Sequence, residues 1–253
     1  VGKEMHSPPT LGKVNMSQLQ DSFGRKFHYL RMSVTDVCNF KCTYCLPDGY
    51  RPDGKPSFLT LSEIEHLVAA FGEVGTQKIR ITGGEPTLRK DFTDIVRIVA
   101  DNPNIHTVAT TTNGYRLEKN ARTWYDAGLR RINVSVDSLD PRMFYQITGE
   151  NKFDEVMRGI DAALEAGFER VKVNAVLLKD LNSKDLPRFL HWIKHTPIDL
   201  RFIELMETGL GHDYFKAHHL AGADIKARLM AEGWLHDKPR VDDGPAQNFS
   251  RPD

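Results

Sequence analysis

The chain has 253 residues, 40% of them hydrophobic, and its 34 basic side chains balance 34 acidic ones. That length can fill one large domain or two small ones, and the neutral balance gives no overall field to draw nucleic acid or a membrane. No apolar run approaches a membrane span, and the polar start VGKEMHSPPTLGKVNMSQLQ lacks the apolar stretch of a secretory signal.

Taken in chain order, HYLRMSVT (28–35) alternates as a strand and runs straight into a loop holding all three cysteines. LSEIEHLVAAFGEVG carries apolar residues at helical spacing, with Ser62 as N-cap, Glu65 closing a capping box and Gly75 as the stop. KIRIT (78–82) is a short strand ending at GGEP, and DFTDIVRIVAD (91–101) is a helix. HTVATTTNG (106–114) reads as strand and turn, KNARTWYDAGL as helix, and RINVSVDS (131–138) as strand. FDEVMRGIDAALEAGF (153–168) is helical, VKVNAVLL (171–178) a strand and LPRFLHWIKH a helix. DLRFIELME (199–207) is a sixth strand, and ADIKARLMAEGW the last helix.

Strand–helix alternation predicts a parallel sheet with right-handed crossovers. Six units are too few to close an eight-stranded barrel, so the expectation is an open partial barrel or a doubly wound sheet. No linker or low-complexity segment divides the chain, which predicts a single domain over residues 16–253. Residues 1–15 are expected to be a disordered extension, with Met16 as a natural start. The opening on Val1 and the ending NFSRPD, with no closing element, suggest a fragment.

The polar and glycine-rich residues gather at the carboxyl ends of the strands. The cysteines follow the first strand, Gly83-Gly84-Glu85-Pro86 the second and Thr111-Thr112-Asn113-Gly114 the third. Ser135 and Asp137 end the fourth, Lys172 and Asn174 lie in the fifth, and Glu204 and Met206 end the sixth. In parallel α/β folds that rim is where ligands bind.

The segment CNFKCTYC (38–45) holds Cys38, Cys42 and Cys45 in eight positions. A structural zinc wants four ligands, and no histidine stands between or just after these three. Three buried, inert cysteines are a further alternative, although Asn39, Lys41 and Thr43 make this a poor core segment. A cubane iron–sulfur cluster suits the spacing better, because each iron normally takes one thiolate. Three thiolates would leave the fourth iron open to a substrate or cosubstrate. Three cysteines cannot all pair, so a reducing, cytoplasmic setting is expected.

In GGEP, two glycines would let the backbone approach a ligand, their carbonyls could accept from an ammonium, and Glu85 would add negative charge. A plain strand–helix turn is the alternative. Met206 taken alone reads as a core residue. Arg31, Arg80, Lys172 and Arg201 lie in four different strands, where cations are costly unless paired or bound to an anion. Together they could converge on a polyphosphate. Pairing with Glu85, Glu204 or Asp137 is the competing expectation.

C-x3-C-x2-C with Tyr44 before the last cysteine, followed by GGEP, resembles the signature of the radical S-adenosylmethionine enzymes. The resemblance implies a [4Fe-4S] cluster whose open iron takes the amine and carboxylate of S-adenosylmethionine, with one-electron cleavage giving a 5′-deoxyadenosyl radical. LRMSVTDVCNFKCTYCLPDGY, IRITGGEPTLRKDF, TTTNGYRL, INVSVDSLD, VKVNAVLL and LRFIELMETG are similar to the GTP 3′,8-cyclase family of molybdenum-cofactor biosynthesis. This closer resemblance implies an α/β fold, an incomplete (βα)6 TIM-type partial barrel, and conversion of GTP to 3′,8-cyclo-7,8-dihydro-GTP. It implies Cys38, Cys42 and Cys45 for the cluster, and Tyr44, Gly84, Ser135 and Met206 for S-adenosylmethionine. Arg31, Arg80, Thr111, Lys172 and Arg201 are implied for GTP. The implied partners are a cyclic pyranopterin monophosphate synthase downstream and a flavodoxin-type electron donor, with a homodimer allowed and neither nucleic acid nor membrane expected.

One departure stands out. The family holds a second cubane on three carboxy-terminal cysteines, whereas no cysteine follows Cys45. The expectation is a truncated cyclase that binds S-adenosylmethionine but does not complete cyclisation. A radical enzyme acting on a peptide or nucleic acid, and a non-catalytic iron–sulfur or zinc module, remain the alternatives.

Overall fold

The computed structural model describes residues 18–52, 54, 57–207, 212–238 and 246–251. The expected amino-terminal extension and Met16 lie outside the described residues. Among those described, the strands β1 (Tyr29–Ser33), β2 (Lys78–Thr82), β3 (Thr107–Thr112), β4 (Arg131–Ser135), β5 (Arg170–Val176) and β6 (Asp199–Ile203) form one sheet in that order. Every neighbouring pair is parallel, and β1 and β6 are the two edges. This is the partial barrel that the strand count predicts, with the sheet left open rather than closed.

The helices α1 (Leu61–Glu73), α2 (Phe92–Asp101), α3 (Leu117–Asp126), α4 (Pro141–Thr148), α5 (Phe153–Ala166) and α6 (Leu186–Ile193) fill the crossovers, and α7 (His212–His218) and α8 (Gly222–Ala231) follow β6. A short antiparallel pair, β7 (Leu235–His236) and β8 (Phe249–Ser250), follows α8. The capping box of α1 is two residues earlier than expected. Thr60, not Ser62, caps the helix, and its hydroxyl accepts from Glu63 N while Glu63 Oε2 accepts from Thr60 N. Both Thr60-Glu63 and Ser62-Glu65 satisfy the sequence rule, and the first apolar helical residue, Leu61, decides between them. Two helices were not anticipated: α4, begun by the Asp140 cap and Pro141, and the short α7.

Residues paired side by side in a parallel register point to the same face. Leu30 and Met32, Ile79 and Ile81, Val108, Ile132 and Val134, and Val171 and Val173 therefore share one face, which packs against the helices. Ile79, Ile81, Ile132, Val134 and Val173 are fully buried there, each worth about 1.5–3 kcal/mol relative to exposure. The Phe92 and Trp124 rings meet edge to face at 5.0 Å in the same core.

The opposite face is polar. By register it carries Tyr29, Arg31 and Ser33, then Lys78, Arg80 and Thr82, then Thr107 and Thr111. Arg131, Asn133 and Ser135 continue it, followed by Arg170, Lys172 and Asn174, and then Asp199 and Arg201. The interior of a closed eight-stranded barrel is a packed layer of branched apolar side chains. Here the concave wall is instead built to meet something polar.

Candidate active site

The cysteine loop leaves β1 and is fastened at several points. Glu85 N donates to Val37 O at 2.7 Å and Gly84 N to Thr35 O at 2.8 Å, tying the loop entrance to the end of β2. Asn113 Nδ2 donates to Asn39 Oδ1 at 2.9 Å. Lys41 N and Thr43 N donate to the carbonyls of Thr148 and Ile147 at 2.9 Å, so the loop lies along the last turn of α4. Tyr44 Oη donates to Asp137 Oδ2 at 2.8 Å, beyond the end of β4. Between the cysteines, the Asn39 side chain and the Tyr44 hydroxyl thus bond to Asn113 and Asp137 beyond β3 and β4, and the Lys41 and Thr43 amides bond to α4.

The glycines of GGEP serve this fastening. A Cβ on Gly83 would lie 2.2 Å from Thr35 O, and one on Gly84 would lie 2.5 Å from both Asp36 O and Val37 O. Gly83 also has φ +152, which L side chains rarely adopt. The close approach that demands glycine is therefore to the chain's own cysteine loop. Glu85 departs from its expected role beside a ligand. It is buried and turned inward, accepting from Thr87 N and Thr112 Oγ1 at 3.0 and 2.8 Å and from Asn113 N at 2.6 Å. Burial raises its pKa despite those donors; it joins β2 to β3.

Cys38 and Cys42 are half-buried and Cys45 is exposed, all three as free thiols. Burial first, then the charges of Asp137, Cys38 and Cys45, pushes the Cys42 thiol far above its ordinary value. Burial also raises Cys38 and Cys45. Among the described residues no group of three His, Cys, Asp or Glu side chains is placed to hold a single metal ion. Three soft donors on one braced loop, close enough to feel one another's charge, fit a cubane that takes one thiolate per corner.

The four strand cations meet on the wall. Arg31 and Arg80 are direct neighbours across β1 and β2. Arg80 is buried, and its Nη1 donates to Thr110 O at 2.8 Å and to Thr111 Oγ1 at 3.3 Å. Burial lowers its pKa, and the charges of Arg31 and Arg201 lower it further while Tyr29 opposes them. Lys172 lies 3.7 Å from Asp199, the one carboxylate within ion-pair distance of these four cations among the described residues. The pairing alternative fails, because each proposed partner is engaged elsewhere. Glu85 bonds as above, Glu204 accepts from His219 Nε2 and Gly222 N, and Asp137 accepts from Tyr44 and from Val176 N.

Sequence reading passed over Lys78, Arg131 and Arg170, which extend the cationic wall toward the amino ends of the strands. The signal was present: each stands two residues before a polar wall residue, the period of a strand face. Burial, followed by Arg80, Arg131, Lys172 and Arg170, lowers Lys78 to about 8. Arg170 pairs with Asp199 and Arg131 lies 3.6 Å from Glu169.

The remaining site candidates divide. Ser135, at the end of β4, is on the polar wall beside Asn174, whose buried Oδ1 has no hydrogen-bond partner. Tyr44 has its hydroxyl turned inward to Asp137. Met206, read alone as core, is 72% exposed just beyond β6. A surface cavity of about 470 Å³, lined by Lys179, Lys184, His219 and Arg228 among others, shares no residue with the wall or the cysteine loop.

A loop of three cysteines at the carboxyl rim of an open parallel barrel defines a class, and residues 32–193 match the radical SAM superfamily. The fold resembles Streptococcus suis SuiB bound to S-adenosylmethionine, with a TM-score of 0.66 and 18% identity over 81% of this chain and 46% of that one. A GTP 3′,8-cyclase of Shewanella denitrificans is 76% identical over 98% of this chain and 74% of its own length. Another, from Vibrio vulnificus, is 65% identical over 93% of this chain and 71% of its own. The chain belongs to the radical SAM superfamily and, within it, to the GTP 3′,8-cyclase family.

Proposed function

We propose that this chain binds GTP on the concave wall and S-adenosylmethionine at the cysteine loop, and acts in converting GTP to 3′,8-cyclo-7,8-dihydro-GTP for the molybdenum cofactor. The observation that carries this reading is the cationic wall. Arg31, Arg80, Lys172 and Arg201 share one face with a single carboxylate within ion-pair distance among the described residues. Lys78, Arg131 and Arg170 extend that face. Arg170 pairs with Asp199 and Arg131 lies 3.6 Å from Glu169, so cations still outnumber carboxylates there, and a polyanion such as a nucleoside triphosphate would compensate the excess.

Cys38, Cys42 and Cys45 would hold a [4Fe-4S] cluster, which with S-adenosylmethionine bound would supply one-electron chemistry for hydrogen abstraction. Gly84 offers its carbonyl to the methionyl amine, Ser135 its hydroxyl, and Tyr44 and Met206 their apolar surface. Arg31, Arg80, Lys172 and Arg201 grip the phosphates, and Thr111 shares the Arg80 guanidinium with them. The helix-packed face of the sheet excludes water from one side of the wall. The partial-barrel domain runs through the described residues from β1 to α8. Its partners are a flavodoxin-type reductant and the cyclic pyranopterin monophosphate synthase that takes the product, and its setting is the cytoplasm; a second copy of the chain is an allowed partner. Among the described residues no helix is long and apolar enough to cross a membrane.

Anaerobic reconstitution tests the proposal. The expected protein is brown, contains four irons per chain, cleaves S-adenosylmethionine under dithionite, and binds GTP in preference to guanosine. A colourless protein, or one that binds guanosine and GTP equally, would overturn it. A peptide substrate would leave the wall cations unused, so indifference to polyphosphate would revive that alternative.

A further inference from the structure

Tyr44 stands between two of the cysteines, yet its hydroxyl is directed into the protein. It donates to Asp137 Oδ2 at 2.8 Å, and Asp137 is itself almost wholly buried. The other carboxylate oxygen accepts from Val176 N, at the end of β5, at 2.9 Å. Asn182, also buried, donates through Nδ2 to Asp137 O and Val176 O at 2.5 and 2.8 Å, and its Oδ1 accepts from Leu178 N at 2.6 Å. Asp137 has no cationic partner among the described residues; it is held by hydrogen bonds alone.

The rest of the loop is anchored on different elements. Its entrance is tied to the end of β2, and Lys41 and Thr43 are tied to α4. Thr43 Oγ1 and Tyr214 Oη are 2.8 Å apart, and the Tyr44 ring packs with Met143, Val176 and Tyr214 against Ile147, Leu178 and Leu205. Among the described residues, only the Tyr44–Asp137 contact connects the Cys42–Cys45 half of the loop through a charge-capable hydrogen bond to the ends of β4 and β5. Those are the strand ends that carry Ser135 and Asn174.

We infer that Asp137 is a positioning residue for the cysteine trio. Acting through the Tyr44 hydroxyl, it sets the distance between the cluster corners and the β4–β5 rim before any cluster is present. The inference rests on the proposed reading for what the loop holds, but not for the strut itself. It also assigns Tyr44 a divided role: the hydroxyl and the packed side of the ring brace the loop, and the exposed remainder of the residue is left for the cosubstrate.

The test compares Tyr44→Phe, Asp137→Ala and Asp137→Asn with the wild type. The first readout is the alkylation rate of Cys42 and Cys45 in cluster-free protein. The second is iron per chain after anaerobic reconstitution, and the third is the change in the reduced cluster's EPR signal on adding S-adenosylmethionine. A hydrogen bond to a charged acceptor is worth about a tenfold change, so Tyr44→Phe and Asp137→Ala are expected to alkylate about tenfold faster. They are also expected to retain less iron and to lose most of the EPR change. Asp137→Asn, whose amide still accepts from Val176 N and can donate to the Tyr44 oxygen but carries no charge, is expected to fall between wild type and Asp137→Ala. Should Asp137→Ala fail to fold, Tyr44→Phe, which loses one oxygen atom, still decides the matter. Wild-type alkylation, iron and EPR behaviour in Tyr44→Phe would overturn the inference. Faster alkylation in the variants alongside a wild type that takes up no iron would keep the strut and sink the radical-enzyme reading.

Discussion

Arg80 Nε donates to the Tyr29 hydroxyl at 2.8 Å across β1 and β2, so the buried guanidinium is aimed by a neutral phenol and not by a carboxylate. Thr110 O and Thr111 Oγ1 take Nη1 of the same fork. A cation fixed in this way keeps its charge uncompensated. It is ready for an anion without first having to break an ion pair.

Arg80→Lys keeps the charge and loses the fork. A hydrogen bond involving a charged group contributes about 1.5–3 kcal/mol, so GTP affinity is expected to fall about ten- to a hundredfold, with some loss of melting as Tyr29 and Thr110 O lose this donor. Thr111→Ala removes only a 3.3 Å contact and is expected to lower it less. Calorimetric titration with GTP checks both, and an affinity unchanged in Arg80→Lys would remove this residue from the site.

Lys78 gives the wall a pH signature. Its pKa in the folded chain is about 8 against an ordinary 10.5. Between those values the unfolded chain holds a proton that the folded chain has released, so stability gained from this group rises with pH across the window. Below about pH 8 both states are charged and the repulsion from Arg80, Arg131, Lys172 and Arg170 is felt in full. Urea melts from pH 7 to 10.5 are expected to show wild type gaining on Lys78→Met as pH rises. Inorganic tripolyphosphate, by neutralising the wall, is expected to draw a fraction of a proton onto the protein at pH 8–9, seen by titration in buffers of different ionisation enthalpy. Parallel pH curves for wild type and Lys78→Met would refute the assignment.

Glu85 predicts a structural failure. Glu85→Ala would strand Thr87 N and Asn113 N in a buried setting, each worth about 1–3 kcal/mol unsatisfied. Glu85→Gln keeps an acceptor at Oε1 but presents a donor to Asn113 N, and so is expected to lose less. Urea midpoints should rank wild type, then Gln, then Ala.

Gly84→Ala places a methyl carbon 2.5 Å from two carbonyl oxygens of the cysteine loop. Overpacking of this kind costs about 1–3 kcal/mol, and here the strain falls on the backbone that presents Cys38. Iron uptake after reconstitution is expected to drop with helix content unchanged. Full iron occupancy in Gly84→Ala would show that the loop has room to yield.

Much of this was legible in the sequence because strand and helix periods are local. KIRIT spans the residues of β2, and the six strands appear in the order read. The cysteine spacing and the four strand cations were visible for the same reason: each rests on residue type and register. What escaped was tertiary. Glu85 is acidic beside two glycines, and nothing nearby says that it also takes partners from Thr112 and Asn113 at the end of the next strand. Met206 is an apolar residue after a strand, and its type does not reveal that it is exposed beyond β6, an edge strand among the described residues. Helix α4 did carry its signals, Asp140 as cap, Pro141 and Gly149 at the end, but its eight residues were lost between a strand and a longer helix.

The sheet's two faces have a consequence for what this barrel can tolerate. Along each strand, neighbouring side chains answer to separate masters, one to the packed layer beneath and the next to whatever occupies the hollow above. A single inserted or deleted residue within a strand would exchange those duties wholesale, turning isoleucines toward the hollow and arginines into the packed layer. Strand length should therefore be the least negotiable property of this chain, while a swap of one wall side chain for another leaves the layer beneath untouched.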